Sequence, residues 1–312
     1  MNPHSIMLNG RVYYGDNLPI LRDMESASVP LIYVDPPFNT GKIQARTRIR
    51  TVRSEQGDRV GFKGQRYQTV TLGRREYPDV FDDYLAFVGP RLIEAQRILA
   101  PNGTLYVHLD AREVHYCKVL LDSVFGRGCF LNEIIWAYDY GGRTKRRWPP
   151  KHDNILVYVK NPMNYVFNAH DIDRLPYMAP GLVGKEKANQ GKLPTDTWWH
   201  TIVATNGKER TGYPTQKPLA ILERIIRASS NPGDTVLDFF AGSGTTGEAA
   251  YRLGRRFVLV DNNQEALRIM AARFAQFEGV EFVGFEAAPF QSGGCQGRLF
   301  ALDTPGAEDR RE

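Results

Sequence analysis

The chain has 312 residues, 42% hydrophobic and 24% charged, with 40 Lys and Arg against 35 Asp and Glu for a formal charge of +5. This balance belongs to an ordinary folded protein and excludes collagen-like, low-complexity and strongly charged disordered chains. No apolar run approaches the roughly 18 residues of a membrane span, and the opening MNPHSIMLNG lacks a basic segment followed by an apolar core, so the expected location is the cytoplasm.

In chain order, β-branched and aromatic runs predict strands at Arg11–Tyr14 and Leu31–Val34. Thr40–Pro78 then breaks the pattern, basic and with few apolar positions in register. From Asp82 to Leu99 the residues Leu85, Val88, Leu92, Ala95 and Leu99 recur at helical steps. Asp82 is the expected N-cap, Pro101-Asn102-Gly103 the stop, and Pro90 an internal kink. Strands are predicted at Thr104–Leu109, Ile134–Tyr138 and Ile155–Val159, with Asp139–Gly212 rich in Gly, Pro, Asn and aromatics. Helices at Leu219–Ser229, Thr245–Leu253 and Gln264–Phe277 alternate with strands at Thr235–Phe239 and Phe257–Val260. The tail from about Glu286 has no clear pattern. Such alternation predicts an α/β fold around a largely parallel sheet.

The charge is unevenly placed. Between Lys42 and Arg75 lie ten basic residues (Lys42, Arg46, Arg48, Arg50, Arg53, Arg59, Lys63, Arg66, Arg74, Arg75) and two acidic ones, Glu55 and Asp58. GGRTKRRWPPK at 141–151 adds Arg143, Lys145, Arg146, Arg147 and Lys151 with no acid. Two basic segments on an acidic body suit a polyanion, although solvated Arg-rich loops explain them equally well on charge alone. Cys117, Cys129 and Cys295 share no ligand spacing, and His4, His108, His115, His152, His170 and His200 form no HExxH pair, so neither a disulfide framework nor a metal site is expected.

TVLDFFAGSGTTGE, from Thr235 to Glu248, reads as a strand, a glycine turn and a helix. Glycines allow close backbone approach, and the helix N-terminus favours an anionic group. Gly242, Gly244 and Gly247 spell G-x-G-x-x-G, and Asp261 ends the next strand, where a carboxylate accepts bonds from ribose hydroxyls. Alone, this segment suits a dinucleotide oxidoreductase as well as an S-adenosylmethionine enzyme. LIYVDPPFNT, from Leu31 to Thr40, discriminates. Two prolines remove N–H donors, so an acceptor-only carboxylate, neighbouring carbonyls and an aromatic ring form a clamp for a flat heterocycle bearing an exocyclic amine.

DPPF at 35–38, YPTQKP at 213–218 and DFFAGSGTT at 238–246, in this order, resemble the signature of β-class DNA amino-methyltransferases, over roughly Val12 to Phe282. The resemblance implies a Rossmann-like, mostly parallel α/β sheet with helices on both faces, plus an irregular target-recognition region. It implies S-adenosylmethionine as cofactor, double-stranded DNA as partner, and N6-methyladenine or N4-methylcytosine as product. It divides the chain into a catalytic half (1–138, with a basic insertion at 41–76), a target-recognition region (139–212), a cofactor-binding half (213–285) and a tail (286–312). A second copy of the chain and a cognate restriction enzyme are further partners that membership of the family allows.

Carried over by position, Asp35, Pro36, Pro37 and Phe38 belong at the reacting amine. Phe240, Gly242 and Gly244 would floor the methionine part of the cofactor, with Thr245 and Thr246 near its carboxylate and Asp238 in the same segment. Asp261 would hold the ribose, and Asp16, in YYGD at 13–16, the amine of the cofactor's adenine. Thr215, Gln216 and Lys217 would lie beside its amino-acid end. Lys42, Arg46, Arg48, Arg50 and Arg53 directly follow the catalytic segment and are expected to contact DNA phosphates, as are Arg143, Lys145, Arg146 and Arg147 at the start of the recognition region. Trp198 and Trp199 read as core packing, with a wedge against DNA as the alternative.

The exocyclic amine of a base is a poor nucleophile and is buried in the duplex, so the base is flipped out at a cost of a few kcal/mol. Asp35 would accept one amine hydrogen and the Pro36 carbonyl the other, while stacking on Phe38 contributes roughly 1–3 kcal/mol. No cysteine nucleophile is required, and Cys117 and Cys129 read as ordinary buried thiols. Aspartate at the first position of DPPF, together with TQKP, resembles the adenine group of the family, which implies adenine N6, with cytosine N4 as the alternative. A nicotinamide oxidoreductase and a catalytically inactive DNA-binding module are the competing classes. The first leaves Asp35–Phe38 unexplained, and the intact Asp35–Phe38 argues against the second.

Overall fold

The computed structural model describes residues 8–39, 42–53, 59–60, 66–79, 81–141, 144–204 and 207–286. The chain begins with β1 (Gly10–Tyr14), α1 (Asn17–Asp23) and β2 (Val29–Val34). The strands β3 (Lys42–Arg53), β4 (Arg59–Val60) and β5 (Arg66–Asp79) follow, then α2 (Tyr84–Ile98), β6 (Leu99–Leu109), α3 (Val114–Phe125), β7 (Phe130–Ala137) and β8 (His152–Val159). The remainder comprises α4 (Lys185–Gln190), β9 (Thr197–Trp199), α5 (Leu219–Ser229), β10 (Thr235–Asp238), α6 (Thr245–Arg252), β11 (Arg256–Asp261), α7 (Gln264–Arg273) and β12 (Val280–Val283).

Nine strands form one sheet in the order β12-β1-β11-β10-β2-β6-β8-β7-β9. The run from β12 to β6 is parallel, β8 is antiparallel to both β6 and β7, and β9 is parallel to β7. The chain leaves β10 through α6 to reach β11 on one side, and leaves β2 through α2 to reach β6 on the other. The strand order therefore reverses between β10 and β2, and a crevice opens beyond their carboxyl ends. β8 lies within 139–212, so that region shares the main sheet.

Leu31–Val34 is apolar at every position because both faces of β2 are covered. Leu31 and Tyr33 join a core with Ile221, Ile225 and Phe257, while Ile32 and Val34 join a second with Val88, Leu92 and Leu121. Each such aliphatic side chain, fully buried, contributes roughly 1.5–3 kcal/mol.

Three local expectations give way to tertiary context. The N-cap of α2 is Asp83, whose side chain accepts from Ala86 N at 2.9 Å, rather than Asp82. Pro101-Asn102-Gly103 does not stop the helix. Leu99, fully buried, already pairs with Val29, and the register slips between Val29 and Leu31 so that these residues bulge out of β6. The basic segment is not irregular: β3 and β5 pair antiparallel from Lys42 opposite Asp79 to Arg53 opposite Tyr67, with β4 as a third strand. Its apolar residues Ile43, Ala45 and Ile49 follow a period of two, which a search for helical register passes over.

The tryptophan pair is split. Trp198 is buried and its indole N–H donates to Thr195 O at 2.8 Å, whereas Trp199 is 79% exposed. Among the described residues, no helix is long and apolar enough to cross a membrane, and no cluster of three or more His, Cys, Asp or Glu could hold a metal ion.

Candidate active site

A cavity of about 420 Å³ occupies the crevice between the loops that follow β2 and β10. One wall carries Asp35, Pro36, Pro37 and Phe38, and the opposite wall carries Asp238, Phe240, Gly242, Thr245, Thr246 and Asp261. Thr215 and Lys217 border it from the loop before α5. The sequence thus brings four catalytic and eight cofactor candidates to one space.

The cofactor wall is built around two carboxylates, Asp238 buried and Asp261 half-buried. Asp238 closes β10, accepting Thr246 Oγ1 at 2.6 Å and the Phe240 N–H at 3.0 Å. Burial pushes its carboxyl up to about 7; those two bonds work against the shift, and the charges of Asp35 and Asp261 work with it. Asp261 closes β11 and accepts the Gly242 N–H at 2.7 Å and the Asn263 N–H at 2.8 Å. Burial pushes it up to about 6 against the backbone donors of Asn263, Gly242 and Asn262. Gly242, at φ +52°, lets the Tyr213 ring approach, since a Cβ there would lie 3.1 Å from Tyr213 Cε1. Gly244 has a different task. It caps α6 at φ +74°, and a Cβ would meet Met270 Cγ at 2.7 Å, so it serves helix packing and does not border the cavity.

On the catalytic wall, Lys217 Nζ bonds Asp35 Oδ2 and lies 5.0 Å from the centre of the Phe38 ring. The other oxygen of that carboxylate, Asp35 Oδ1, is sealed from solvent without a hydrogen-bond partner. Asn39, at φ +51°, ends the turn: its side chain donates to Glu113 Oε1 at 2.8 Å and accepts the Phe81 N–H at 3.1 Å, tying the turn to the starts of α2 and α3. Beneath it runs a buried chain. Tyr33 Oη lies 2.8 Å from His108 Nδ1, His108 Nε2 lies 3.2 Å from Asp153 Oδ2, and Tyr138 donates to Asp153 Oδ1 at 3.0 Å.

Several candidates stand elsewhere. Asp16 is the N-cap of α1, accepting Leu18 N at 3.2 Å and Arg91 Nη2 at 2.8 Å, and does not line the cavity. Gln216 braces its own loop, accepting Thr211 N and Oγ1 at 2.8 Å and donating to Glu209 O at 2.7 Å. Lys42, Arg46, Arg48, Arg50 and Arg53 lie along β3, Lys145, Arg146 and Arg147 are exposed beside Trp148, and Arg143 falls outside the described residues, as does Cys295. Burial, reinforced by Glu113, pushes the Cys117 thiol up to about 12, which removes it as a nucleophile at neutral pH.

Sequence reasoning missed Tyr33, Phe81, Phe87, Tyr213, Asn262 and Asn263, all of which border the cavity. Phe81 and Phe87, 4.6 Å apart, and Phe87 and Phe240, 6.0 Å apart, make a continuous aromatic side. The signal was the aromatic density of FDDYLAF at 81–87, read only as the start of a helix.

A crevice at the switch point of a Rossmann-like sheet is where such folds place a nucleoside cofactor, and the DPPF turn faces it, an arrangement that fits the amino-methyltransferase class. The pattern of the DNA methylase family, of the N6/N4 type, matches residues 29–272, and the chain belongs to that family. It is 31% identical over 280 residues to the type II methyltransferase M.HpaI of Haemophilus parainfluenzae, covering 90% of this chain and 77% of the relative. It is 31% identical over 271 residues to the DNA adenine methyltransferase YhdJ of Escherichia coli K12, covering 83% and 80%. Among solved structures, the cytosine-N4-specific PvuII DNA methyltransferase shares the fold with a TM-score of 0.58 at 19% identity, over 85% of this chain and 86% of its own. The chain is accordingly an S-adenosylmethionine-dependent DNA amino-methyltransferase, and the nicotinamide reading of the glycine turn is set aside.

Proposed function

We propose that the chain methylates N6 of an adenine flipped out of double-stranded DNA, with Asp35 as the acceptor that orients the amine. The observation that carries this reading is that Asp35 borders the cavity with Pro36 and Phe38 while its buried Oδ1 has no hydrogen-bond donor, which is costly unless a ligand supplies one. An adenine N6 hydrogen supplies it. The Pro36 carbonyl takes the second hydrogen, so the nitrogen lone pair is drawn out of the ring, and Phe38 supports the base by stacking.

S-adenosylmethionine, when bound, contributes an electrophilic methyl group on a sulfonium. The chain's own residues fit that group. Asp261 retains acceptor capacity for ribose hydroxyls beyond its backbone donors, and Phe81, Phe87 and Phe240 give the cavity an apolar aromatic side. Thr215, Thr245 and Thr246 border the part of the cavity assigned to the amino-acid end. Asp238, Gly244 and Gln216 act indirectly, by fixing the glycine turn, α6 and the loop before α5.

DNA phosphates would be met by the β3–β5 ribbon, through Lys42, Arg46, Arg48, Arg50 and Arg53, and by Arg143, Lys145, Arg146 and Arg147. Adenine is favoured over cytosine by the aspartate of DPPF and by the activity named for the relative YhdJ. Cytosine N4 is the second reading, because its amine presents the same hydrogens to the same acceptors. The cytoplasm, with the DNA, is the compartment this activity requires; a second copy of the chain and a restriction enzyme are partners it allows. Methylating a duplex and digesting it to nucleosides tests the reading: N6-methyladenine is expected, and recovery of N4-methylcytosine alone overturns it.

A further inference from the structure

The ion pair between Lys217 and Asp35 joins the loop before α5 to the turn after β2, 182 positions apart in sequence. Both side chains are nearly buried, Lys217 at 11% and Asp35 at 15% exposure, so water screens the pair little. We infer that Lys217 is a positioning residue for the catalytic carboxylate: by holding Oδ2 it fixes the rotation of Asp35 and leaves Oδ1 as the oxygen without a donor, the one to which the amine is offered. This inference rests on the reading of Asp35 as the amine's acceptor.

Three observations converge on it. Lys217 reaches Asp35 Oδ2 and leaves Oδ1 as the one orphan of the pair. A carboxylate free to rotate would turn to satisfy both oxygens and would offer the amine a poorer acceptor. The same ammonium lies over the Phe38 ring, so one cation fixes both the acceptor and the stacking surface. Lys217 also helps to hold the Asp153 carboxyl below the usual range, after burial opposes that shift and the bond and charge of His108 favour it, so its charge is felt by both acids under the turn. This assignment differs from one that gives Lys217 to the carboxylate of the cofactor.

The test separates the two. Purified full-length Lys217→Met is assayed for single-turnover methyl transfer to duplex DNA at saturating S-adenosylmethionine, and for S-adenosylhomocysteine affinity by calorimetry. The expected result is a rate lower on the order of 100-fold, the scale of a misplaced reacting group, with the affinity unchanged. Lys217→Arg, which restores a cation, should recover part of the rate, and it carries the test against Lys217→Gln if Lys217→Met does not fold. A rate equal to that of the parent overturns the inference, as does a loss of affinity with or without a fall in rate, because the lysine then serves the cofactor. Asp35→Asn is measured alongside. If it turns over as fast as the parent, the reading of Asp35 has failed; if it is inactive while Lys217→Met is fully active, only the role of Lys217 has failed.

Discussion

Tyr33 Oη lies 2.8 Å from His108 Nδ1, and through that ring the floor of the active site is joined to Asp153, on the strand beyond. The three residues come from β2, β6 and β8, and His108 is fully buried, with its ring 6.1 Å from Phe38 and 5.5 Å from Trp136. His108→Ala should therefore open a cavity and orphan two polar partners, costing about 3 kcal/mol in urea unfolding. Burial tends to raise the Asp153 carboxyl, but His108, Lys217 and Tyr138 outweigh it and hold it below the usual range. The stability this confers is present above the unfolded carboxylate range and is lost as pH falls through the lower folded value. His108→Ala should accordingly lessen the loss of stability on the acid side, and an unaltered acid limb would place the shift elsewhere.

Asp35 and Gly242 border one cavity, and in the proposed reading they serve different steps. Asp35→Ala should reduce turnover by at least about 100-fold and leave S-adenosylhomocysteine binding intact, since it removes an acceptor used by the base alone. Gly242→Val should reverse this. At φ +52°, with Tyr213 3.1 Å from a new Cβ, a branched side chain strains the turn by about 1–3 kcal/mol and fills the cofactor side. Calorimetry on the two variants checks the dissociation, and equal loss of cofactor binding in both would contradict it.

The raised carboxyls on the cofactor wall carry a pH dependence of known sign. Asp238 near 7 and Asp261 near 6 both bind protons more tightly folded than unfolded. Their contribution to stability is full below about pH 4 and is lost as pH rises to 7, at up to about 1.4 kcal/mol per pH unit for each group. Cofactor affinity should move oppositely, rising between pH 5.5 and about 7 as Asp261 ionises and becomes a stronger acceptor for ribose hydroxyls. Asp238→Asn should flatten the stability profile while preserving the bond from Phe240 N. Melting temperatures and S-adenosylhomocysteine titrations across that range check both halves.

The site's two walls were legible because each is a short contiguous segment, Asp35–Phe38 and Asp238–Thr246, whose chemistry and turn geometry are written in adjacent residues. The link beneath them was not. His108 and Asp153 lie 45 positions apart and meet because β6 and β8 pair with His108 opposite Ile155, a register no local pattern encodes. Gly244, Gln216 and Asp16 show the converse limit: each sits in a recognisable motif, yet what fixes its type is a packing neighbour, a loop or a helix cap. The basic segment was legible as charge and not as structure, since its alternation only has meaning once β5 lies alongside β3.

That ribbon supplies the last expectation. Arg48 and Arg50 stand two positions apart on β3, opposite Gly73 and Val70, and β-strand geometry separates such residues by about 6.8 Å. A bound phosphate backbone releases counterions in proportion to the cations that neutralise it, so each arginine lost from the interface lowers the slope of log affinity against log salt by about 1. Arg48→Glu with Arg50→Glu should therefore weaken duplex binding and lower that slope by about 2, leaving cofactor affinity as it was. The same reversal at Arg146 and Arg147 measures the second basic segment independently. Fluorescence anisotropy at several salt concentrations decides between them: an unchanged slope for the β3 variant removes the ribbon from the DNA interface and leaves the Arg146–Arg147 segment to account for phosphate binding.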